Sequence, residues 1–375
     1  MAAAEAWHAL LTSHASLDTG MLRAGYTYLG QLVAHDITTK TMPPIEREAT
    51  PWLNLDSLYG AGEGDSSLRD GARMRFRKGD AATPADLWRV DGIAQIPDAR
   101  NDVNTIVSQL HLLCLRLHNA LIDARLARTF VEARDIVVRL MQVIVVEDYL
   151  RRLLDPEVYR FLIDEGRRPW EIAPAQIPPA FSHGVFRFGH AMVRDRYVLR
   201  PNTRSQPLAA LLRSGEALTR TFEVDWPSFF DPGTAVGQST LAIDHRITPA
   251  MRHVPHPIPR GAVRGTPREA PVDVIAANLR AGCQAKVPRA GELIDELLAG
   301  PDGRDLRERL GLALIDLPTP LQRDLPADGA AIDRMPLWTY TLLEAPTHGR
   351  RLGVLASLVT GQVLAQAAAT GARPF

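Results

Sequence analysis

The sequence predicts a mainly α-helical protein, organised as a single large helical domain with irregular loops and little strand. The first observation is a run at 104–128 in which apolar residues recur every three or four positions, without an internal glycine or proline. This run predicts a helix of about 24 residues. The recurring apolar residues are Ile106, Leu110, Leu113, Leu117 and Leu121.

A second long pattern, at 131–154, has so few polar positions in its middle turns that the predicted helix should be buried on most sides. The third observation is that strand signals are sparse along the whole chain. The segment 254–271 holds five prolines and has no periodicity, which indicates a long irregular loop within the domain. Shorter helical patterns occur at 179–194, 272–280, 291–298, 304–315 and 349–368.

The overall charge makes a nucleic-acid partner unlikely on electrostatic grounds. Lysine plus arginine and aspartate plus glutamate number 43 each, so the net formal charge is zero and no global field attracts polyanions. Nearly all the positive groups are guanidiniums, which suit local anion binding. The sequence does not indicate an oligomeric state.

Cysteine usage and hydropathy predict a cytoplasmic protein. Cys114 and Cys283 are the only cysteines, which excludes a disulfide framework and a multi-cysteine metal site. The first residues lack a basic region followed by an apolar one, and no run of eighteen uncharged apolar residues occurs. We therefore expect neither an export signal nor a membrane span.

The segment 28–40 carries the first candidate chemistry. If it is helical, Gln31 and His35 project side by side from one face, whereas Asp36 points roughly 100° away. An imidazole can exchange a proton near neutral pH, and an amide can orient a polar ligand. Taken alone, this pair is a weak signal, because a lone histidine on a helix is more often structural.

A second candidate is His190, which follows two phenylalanines and Gly189. The glycine would let a flat ligand approach the backbone, and Arg187 lies three residues before the histidine, where it could pair with a carboxylate. An axial imidazole, an aromatic wall and a cation for a propionate together suit haem. The alternative is an amphipathic helix with a buried histidine.

Arg100 precedes the helix predicted at 104–128. A guanidinium is electrostatically unfavourable near a helix start, which suggests a role elsewhere. The alternative is an arginine that pairs with Asp98 or Asp102.

Seven segments, in this order, resemble the animal-type haem peroxidase (peroxidase-cyclooxygenase) superfamily, and its compact bacterial members in particular. The similarity runs from about Gly25 to the C-terminus, so that 25–375 would form the peroxidase domain and 1–24 an N-terminal extension. The segments are GQLVAHDIT, TPWLNLDSLYG, ARNDVNTIVSQLHLLCLRLHN, VVRLMQVIVVEDYL, FRFGHAMV, VIAANLRAGCQAKVP and MPLWTYTLLEA.

The resemblance implies a peroxidase that reduces hydrogen peroxide and oxidises a small organic donor. His35 would be the distal acid and base, with Gln31 and Arg100 beside it. His190 would be the proximal iron ligand, Asn278 would hydrogen-bond its other nitrogen, and Arg187 would meet a haem propionate. The resemblance also implies a possible calcium site, whose ligands would be Asp36, Thr50, the Trp52 carbonyl, Asn54 and Asp56.

Several departures from the family pattern refine this expectation. Ala34 and Val103 replace the acidic residues that form haem esters in mammalian members, and Asn104 replaces a methionine that forms a further link, which implies noncovalent haem b. Arg187 stands where cyclooxygenases carry a radical-forming tyrosine. The family often has an arginine at the position of Ala281. In this chain the arginine, Arg280, lies one position earlier. The alternatives left open are an oxygenase or peroxygenase acting on a lipid or specialised metabolite, and a haem-binding protein without turnover.

Overall fold

The structure, a computed structural model, confirms the mainly helical fold class. It describes residues 2–12, 18–39, 49–61, 64–173, 176–213, 215–231, 233, 237–258, 270–317, 332 and 335–370. Helices account for 53% and strands for 8%. The α-helices are α1 Ala2–Thr12, α2 Gly25–Ile37, α3 Asp56–Tyr59, α4 Thr105–Asp123, α5 Phe130–Val143, α6 Arg151–Leu153, α7 Pro156–Tyr159, α8 Leu208–Leu211, α9 Trp226–Phe230, α10 Val274–Gln284, α11 Ala290–Ala299, α12 Gly303–Glu308, α13 Leu337–Glu344 and α14 Val354–Thr370.

The strands within the described ranges form five antiparallel pairs of two strands each. Four pairs join strands close in sequence, whereas β1 pairs with β10 and so ties the N-terminal region to a distant part of the chain. The sparse strand signal of the sequence is thereby confirmed. The strands are β1 Thr19–Arg23, β2 Arg69–Asp70, β3 Arg73–Met74, β4 Phe76–Arg77, β5 Asp86–Leu87, β6 Arg89–Val90, β7 Ile93–Ala94, β8 Arg196–Tyr197, β9 Gln206–Pro207 and β10 Ser239–Leu241.

Both long helices predicted from periodicity are present, although the first ends at Asp123 and not at the predicted 128. The first is α4, whose N-terminus is capped by the Asn104 side chain through a 2.7 Å bond from the Ile106 N–H. The second is continuous through α5, a wider π-helical stretch at Ile144–Leu150, and α6. This wider winding was not predicted, because the apolar spacing does not distinguish it from an α-helix.

α2 is held close to the middle of the molecule by α4, α9 and the segment that ends at His190. Ten of its thirteen residues are buried. Gly30 faces Tyr149 of the π-helical stretch, and a side chain at Gly30 would clash with the tyrosine hydroxyl. The close approach of these two elements therefore requires glycine at this position.

The C-terminal helix α14 is almost entirely buried, as its uniformly apolar sequence predicts. Its N-terminus is satisfied by buried Glu344, which accepts hydrogen bonds from the N–H groups of Leu355 and Ala356 at 3.0 and 3.2 Å. Burial raises the pKa of Glu344 to about 7. Among the helices of the described ranges, none has the length and apolar character needed to cross a bilayer.

The described parts of the first 24 residues, 2–12 and 18–24, contact the remainder of the chain. α1 contacts α10, and His8 Nε2 lies 2.8 Å from the Asp273 carboxylate. The predicted loop 254–271 is described only at its ends, where Val254 and Val272 form an antiparallel bridge. The positions 259–269 lie outside the described residues.

The segment 179–194, predicted as a helix, has a different local geometry. It forms a π-helical turn at Ala180–Gly184, which passes directly into a 3₁₀ turn at Val185–His190. Gly184 joins the two turns with backbone angles outside the helical region. His190 therefore stands at the end of a tight 3₁₀ turn.

Candidate active site

One cavity of about 240 Å³ lies between α2 and the turn that ends at His190. His35 and His190 both line it, although 155 positions separate them in sequence. The structure therefore brings together the two histidines singled out in the sequence. The other lining residues are Thr27, Tyr28, Gly30, Gln31, Ala34, Thr38, Val103, Asn104, Tyr149, Ser182, Phe186, Arg187, Phe188, Gly189, Val193, Leu208, Leu212, Met251, Val254 and Val274.

Gln31 and His35 project from the same face of α2 into this cavity, in agreement with their spacing. His35 Nδ1 lies 2.9 Å from the Asn101 side-chain oxygen. The amide nitrogen of Asn101 donates to the Ser57 carbonyl at 3.3 Å, so the amide oxygen is the atom that faces His35. Nδ1 of His35 is then the donor, and in the neutral ring Nε2 is left unprotonated, as a base requires.

The structure places the Arg100 guanidinium away from the cavity wall. Its Nη2 donates to the carbonyls of His35 and Thr38, each at 2.7 Å, and the same guanidinium pairs with Asp98 at 2.6 Å. These carbonyls belong to the last turn of α2, where backbone acceptors lack helical partners. The position matches the alternative of pairing with Asp98 and does not support Arg100 as a distal catalytic group.

His190 is a neutral imidazole within the structure. Burial, the Arg187 charge and His35 lower the pKa of His190 to about 3, so its lone pair is available. The Asn278 amide lies 2.7 Å from His190 Nδ1. Since Arg187 donates to the Asn278 oxygen, the amide nitrogen is the atom that faces His190. Asn278 therefore donates here, whereas a histidine that binds a metal through Nε2 needs an acceptor at Nδ1.

Arg187 is a partly buried cation that has no carboxylate partner among the described residues. Its guanidinium donates to Asn278 and to the Ser182 carbonyl, and no acidic oxygen within the described ranges lies within 4.0 Å. Burial lowers the pKa of Arg187 to about 10. An anionic group in the cavity would compensate this charge.

The wall beside His190 suits a flat ligand. Phe186 and Phe188 contact each other edge to face, with ring centroids 5.5 Å apart. A Cβ atom at Gly189 would have no atom within 4 Å, apart from those of the adjacent residues. An available imidazole, aromatic walls, open space and an uncompensated cation fit haem with its propionates.

Three cavity residues occupy the positions where the resemblance locates covalent haem links in other members. Ala34 and Val103 line the wall with aliphatic side chains, and Asn104 lines it with an amide already used as the cap of α4. None of the three carries a carboxylate or a thioether. The wall therefore offers no group at these positions that could form an ester or a sulfonium link.

The oxygen donors suggested for calcium are satisfied by protein donors. Asp36 accepts from the N–H groups of Asn54, Leu55 and Ser57 at 2.8 to 3.1 Å. Asp56 accepts from the Asn54 amide at 2.8 Å and pairs with Arg134 at 3.4 Å.

The remaining three suggested donors are also engaged. The Asn54 side-chain oxygen accepts from the Asp56 N–H at 3.1 Å, Thr50 Oγ1 accepts from the Asn54 amide nitrogen, and the Trp52 carbonyl accepts from the Asn54 N–H. Within the described ranges, no group of three or more histidine, cysteine or acidic side chains is placed to hold a metal ion. Each suggested donor as placed is therefore engaged in a hydrogen bond or an ion pair within the protein.

Replacing Asp36 by alanine is expected to destabilise the protein by about 3 kcal/mol or more, because three backbone N–H groups lose their acceptor. Chemical denaturation measures the change in the free energy of unfolding, and Asp70→Ala, which removes an exposed carboxylate, is the matched control. The loss should be equal with and without EDTA. A loss that disappears in EDTA would show that a bound metal ion, and not these hydrogen bonds, explains the effect.

Sequence reasoning missed the residue that orients His35. Asn101 is buried and follows Arg100 directly, yet an asparagine in a loop carries no pattern that marks it. Tyr28 and Tyr149 were also missed as cavity residues, although both lie in segments with a recognised periodicity. These residues can be recognised as cavity residues only in the folded structure, because they come from different elements.

The helical fold and the geometry of the cavity are those of an enzyme that binds haem. A family model described as animal haem peroxidase matches residues 27–281. The chain therefore belongs to the animal haem peroxidase family, whose members are peroxidase-type oxidoreductases that bind haem. The resemblance to this family that the sequence indicated is confirmed.

Two curated relatives match part of the chain. Human thyroid peroxidase is 28% identical over 167 residues, which cover 40% of this chain and 18% of that protein. Human myeloperoxidase is 28% identical over 144 residues, which cover 36% of this chain and 19% of that protein. The matched region thus spans less than a fifth of each relative.

Solved structures share the fold over nearly the whole chain. Peroxidase A from Dictyostelium discoideum has a TM-score of 0.65 at 16% identity, covering 96% of this chain and 81% of that one. A fatty acid alpha-dioxygenase from Oryza sativa has a TM-score of 0.66 at 13% identity, covering 96% and 71%. At these identities the likeness establishes the fold alone.

Proposed function

We propose that this chain is a haem-dependent peroxidase that reduces hydrogen peroxide and oxidises a small organic donor. The observation that carries the proposal is the pairing of His35, from α2, with His190, from the 3₁₀ turn, on the wall of one cavity. Family membership supports peroxidase-type chemistry. When bound, haem supplies the iron and the redox capacity on which peroxide reduction depends.

His190 would hold the iron through Nε2, since Nδ1 is engaged by Asn278. An imidazole that ligates a metal through Nε2 carries its hydrogen on Nδ1 and is oriented by an acceptor there. We therefore expect Arg187 to turn to a propionate and the Asn278 amide to rotate, so that its oxygen accepts from His190. The aliphatic Ala34 and Val103 support noncovalent haem b.

His35 would act as the distal acid and base. Its Nε2 would take a proton from hydrogen peroxide and return it to the departing oxygen, while Asn101 holds Nδ1–H. Gln31, on the same face of α2, would orient the peroxide by hydrogen bonding. Arg100 is assigned a positioning role, because it anchors the carbonyls of the turn that carries His35.

The test is an absorption titration of the purified protein with hemin, followed by hydrogen peroxide and guaiacol. We expect a saturable Soret band and guaiacol oxidation faster than with hemin alone. A spectrum that remains that of free hemin, without a saturable change in the Soret band, would overturn the proposal. Saturable haem binding without accelerated oxidation would favour the haem-binding protein that lacks turnover.

The second candidate is an oxygenase of the same fold. Apolar residues, including Leu208, Leu212 and Met251, line the cavity and would suit an apolar substrate. The fold likeness to a protein described as a fatty acid alpha-dioxygenase is consistent with this alternative. Incorporation of isotope from labelled dioxygen or labelled peroxide into a fatty acid would distinguish it from electron transfer to a donor.

A further inference from the structure

His111 is a buried histidine on α4 that the proposed mechanism does not yet use. Its side chain is excluded from solvent, on the same buried side of the helix as Leu110 and Leu115. Burial lowers the pKa of His111 to about 3, so the ring is neutral and carries a single N–H. A leucine would fill such a position without bringing polar atoms into the core.

A hydrogen bond connects His111 to the residue that orients His35. The Asn101 amide nitrogen lies 3.3 Å from His111 Nδ1 and donates to the Ser57 carbonyl, also at 3.3 Å. Because an amide nitrogen can only donate, His111 Nδ1 is the acceptor and the ring hydrogen lies on Nε2. The Asn101 oxygen lies 2.9 Å from His35 Nδ1. The side chains of His111, Asn101 and His35 therefore form one continuous hydrogen-bonded chain.

A half-turn of the Asn101 amide would reverse the hydrogen bond to His35. The amide nitrogen would then face His35 Nδ1, which would have to accept, and the hydrogen of the neutral ring would move to Nε2. The same half-turn would bring the amide oxygen against the Ser57 carbonyl and the unprotonated His111 Nδ1, which are both acceptors. In the observed arrangement each of these acceptors binds the amide nitrogen, so each opposes the turn.

The other ring nitrogen of His111 has no compensating contact. His111 Nε2 is buried and lacks a hydrogen-bond partner in the part of the chain that the structure describes. An unpaired buried donor costs free energy, and such departures from good packing are expected where function requires them.

We propose that His111 is a positioning residue for His35. Its Nδ1 holds the Asn101 amide in the orientation that keeps the hydrogen of His35 on Nδ1 and leaves Nε2 as the base. The proposal rests on the proposed function, in which His35 is the proton-transfer group. It adds a residue that acts on the reaction only through another side chain.

Nitrogen-15 NMR of the whole chain, labelled at histidine and recorded without hemin at a pH where histidine is neutral, tests the proposal. The ring nitrogen shifts show which atom carries the hydrogen, and the signals are assigned by their loss in His35→Ala and His111→Leu. We expect single tautomers, with the hydrogen on Nδ1 in His35 and on Nε2 in His111. Free neutral histidine in water prefers Nε2–H, so the result for His35 reports the contact with Asn101.

His111→Asn and His111→Leu are the matched variants, because their side chains are similar in size and only asparagine offers an acceptor near the position of Nδ1. We expect His35 to keep its tautomer in His111→Asn and to become mixed in His111→Leu. Guaiacol oxidation by the hemin-loaded protein should fall about three- to tenfold in His111→Leu, through loss of one neutral hydrogen bond, and recover in His111→Asn. Circular dichroism melting establishes that each variant is folded.

Three results would overturn the proposal: a hydrogen on Nδ1 of His111, a hydrogen on Nε2 of His35 in the unaltered chain, or the same His35 tautomer in the asparagine and leucine variants. If His111→Leu does not fold, the tautomers of the unaltered chain decide. The spectra are recorded without hemin, so they do not depend on peroxidase activity. The expected tautomers combined with no guaiacol oxidation would support the positioning by His111 and contradict the proposed function.

Discussion

Replacing His35 by alanine is expected to lower the rate of peroxide-dependent donor oxidation by about 10²- to 10⁴-fold, because the cavity loses its proton-accepting group. The Soret band should keep its position and its hemin affinity, since His35 is not the proposed iron ligand. Steady-state oxidation of guaiacol by the hemin-loaded protein measures the rate, and an absorption titration measures hemin affinity.

The matched variant is Asn101→Ala, which leaves the imidazole but removes the acceptor that orients it. We expect an intermediate loss of rate and a shifted dependence of the rate on pH, because the ring is no longer held in one tautomer. If His35→Ala oxidises guaiacol as fast as the unaltered protein, His35 is not the proton-transfer group. If the pH dependence of the rate is unchanged in Asn101→Ala, Asn101 does not orient His35.

Replacing His190 by alanine is expected to weaken hemin binding by more than about 100-fold, because loss of a metal ligand costs at least as much as loss of a residue that supports one. The hemin titration measures this change through the Soret band. Turnover should fall with haem occupancy. Added imidazole, which can enter the space left by the side chain, should restore part of the spectrum.

His183→Ala is the control for this second variant, because His183 is half-buried, lies in the preceding π-helical turn and does not line the cavity that His35 and His190 share. It should bind hemin as the unaltered protein does. Equal hemin affinity in His190→Ala and His183→Ala would contradict the proposed iron ligand. Circular dichroism melting separates this outcome from loss of the fold.

The long helices were predictable because their burial imposes a regular apolar repeat on the sequence. α4 and α5 need little information beyond that repeat and an N-terminal cap. The π-helical winding at Ile144–Leu150 depends instead on tertiary packing against α2, where Gly30 receives Tyr149. Such a tertiary contact cannot be predicted from the spacing of apolar residues.

The candidate site was predictable in its histidines but not in its hydrogen bonds. Gln31 and His35 share a helix face at a spacing that the sequence displays directly. The Arg100 guanidinium is held by Asp98 and by backbone carbonyls at the end of α2. Its direction therefore could not be predicted from the sequence around Arg100. Asn278 likewise donates to His190 because Arg187 occupies its oxygen.

Neighbouring side chains on the last turn of α2 have opposite environments. Asp36 is locked into the protein by three backbone donors, while His35 beside it borders open space. That side of the cavity is consequently preorganised before any ligand arrives, whereas the side formed by Arg187 and Asn278 has to exchange partners. Cofactor uptake should therefore be limited by rearrangement on the His190 side, with the opposite wall acting as a fixed template.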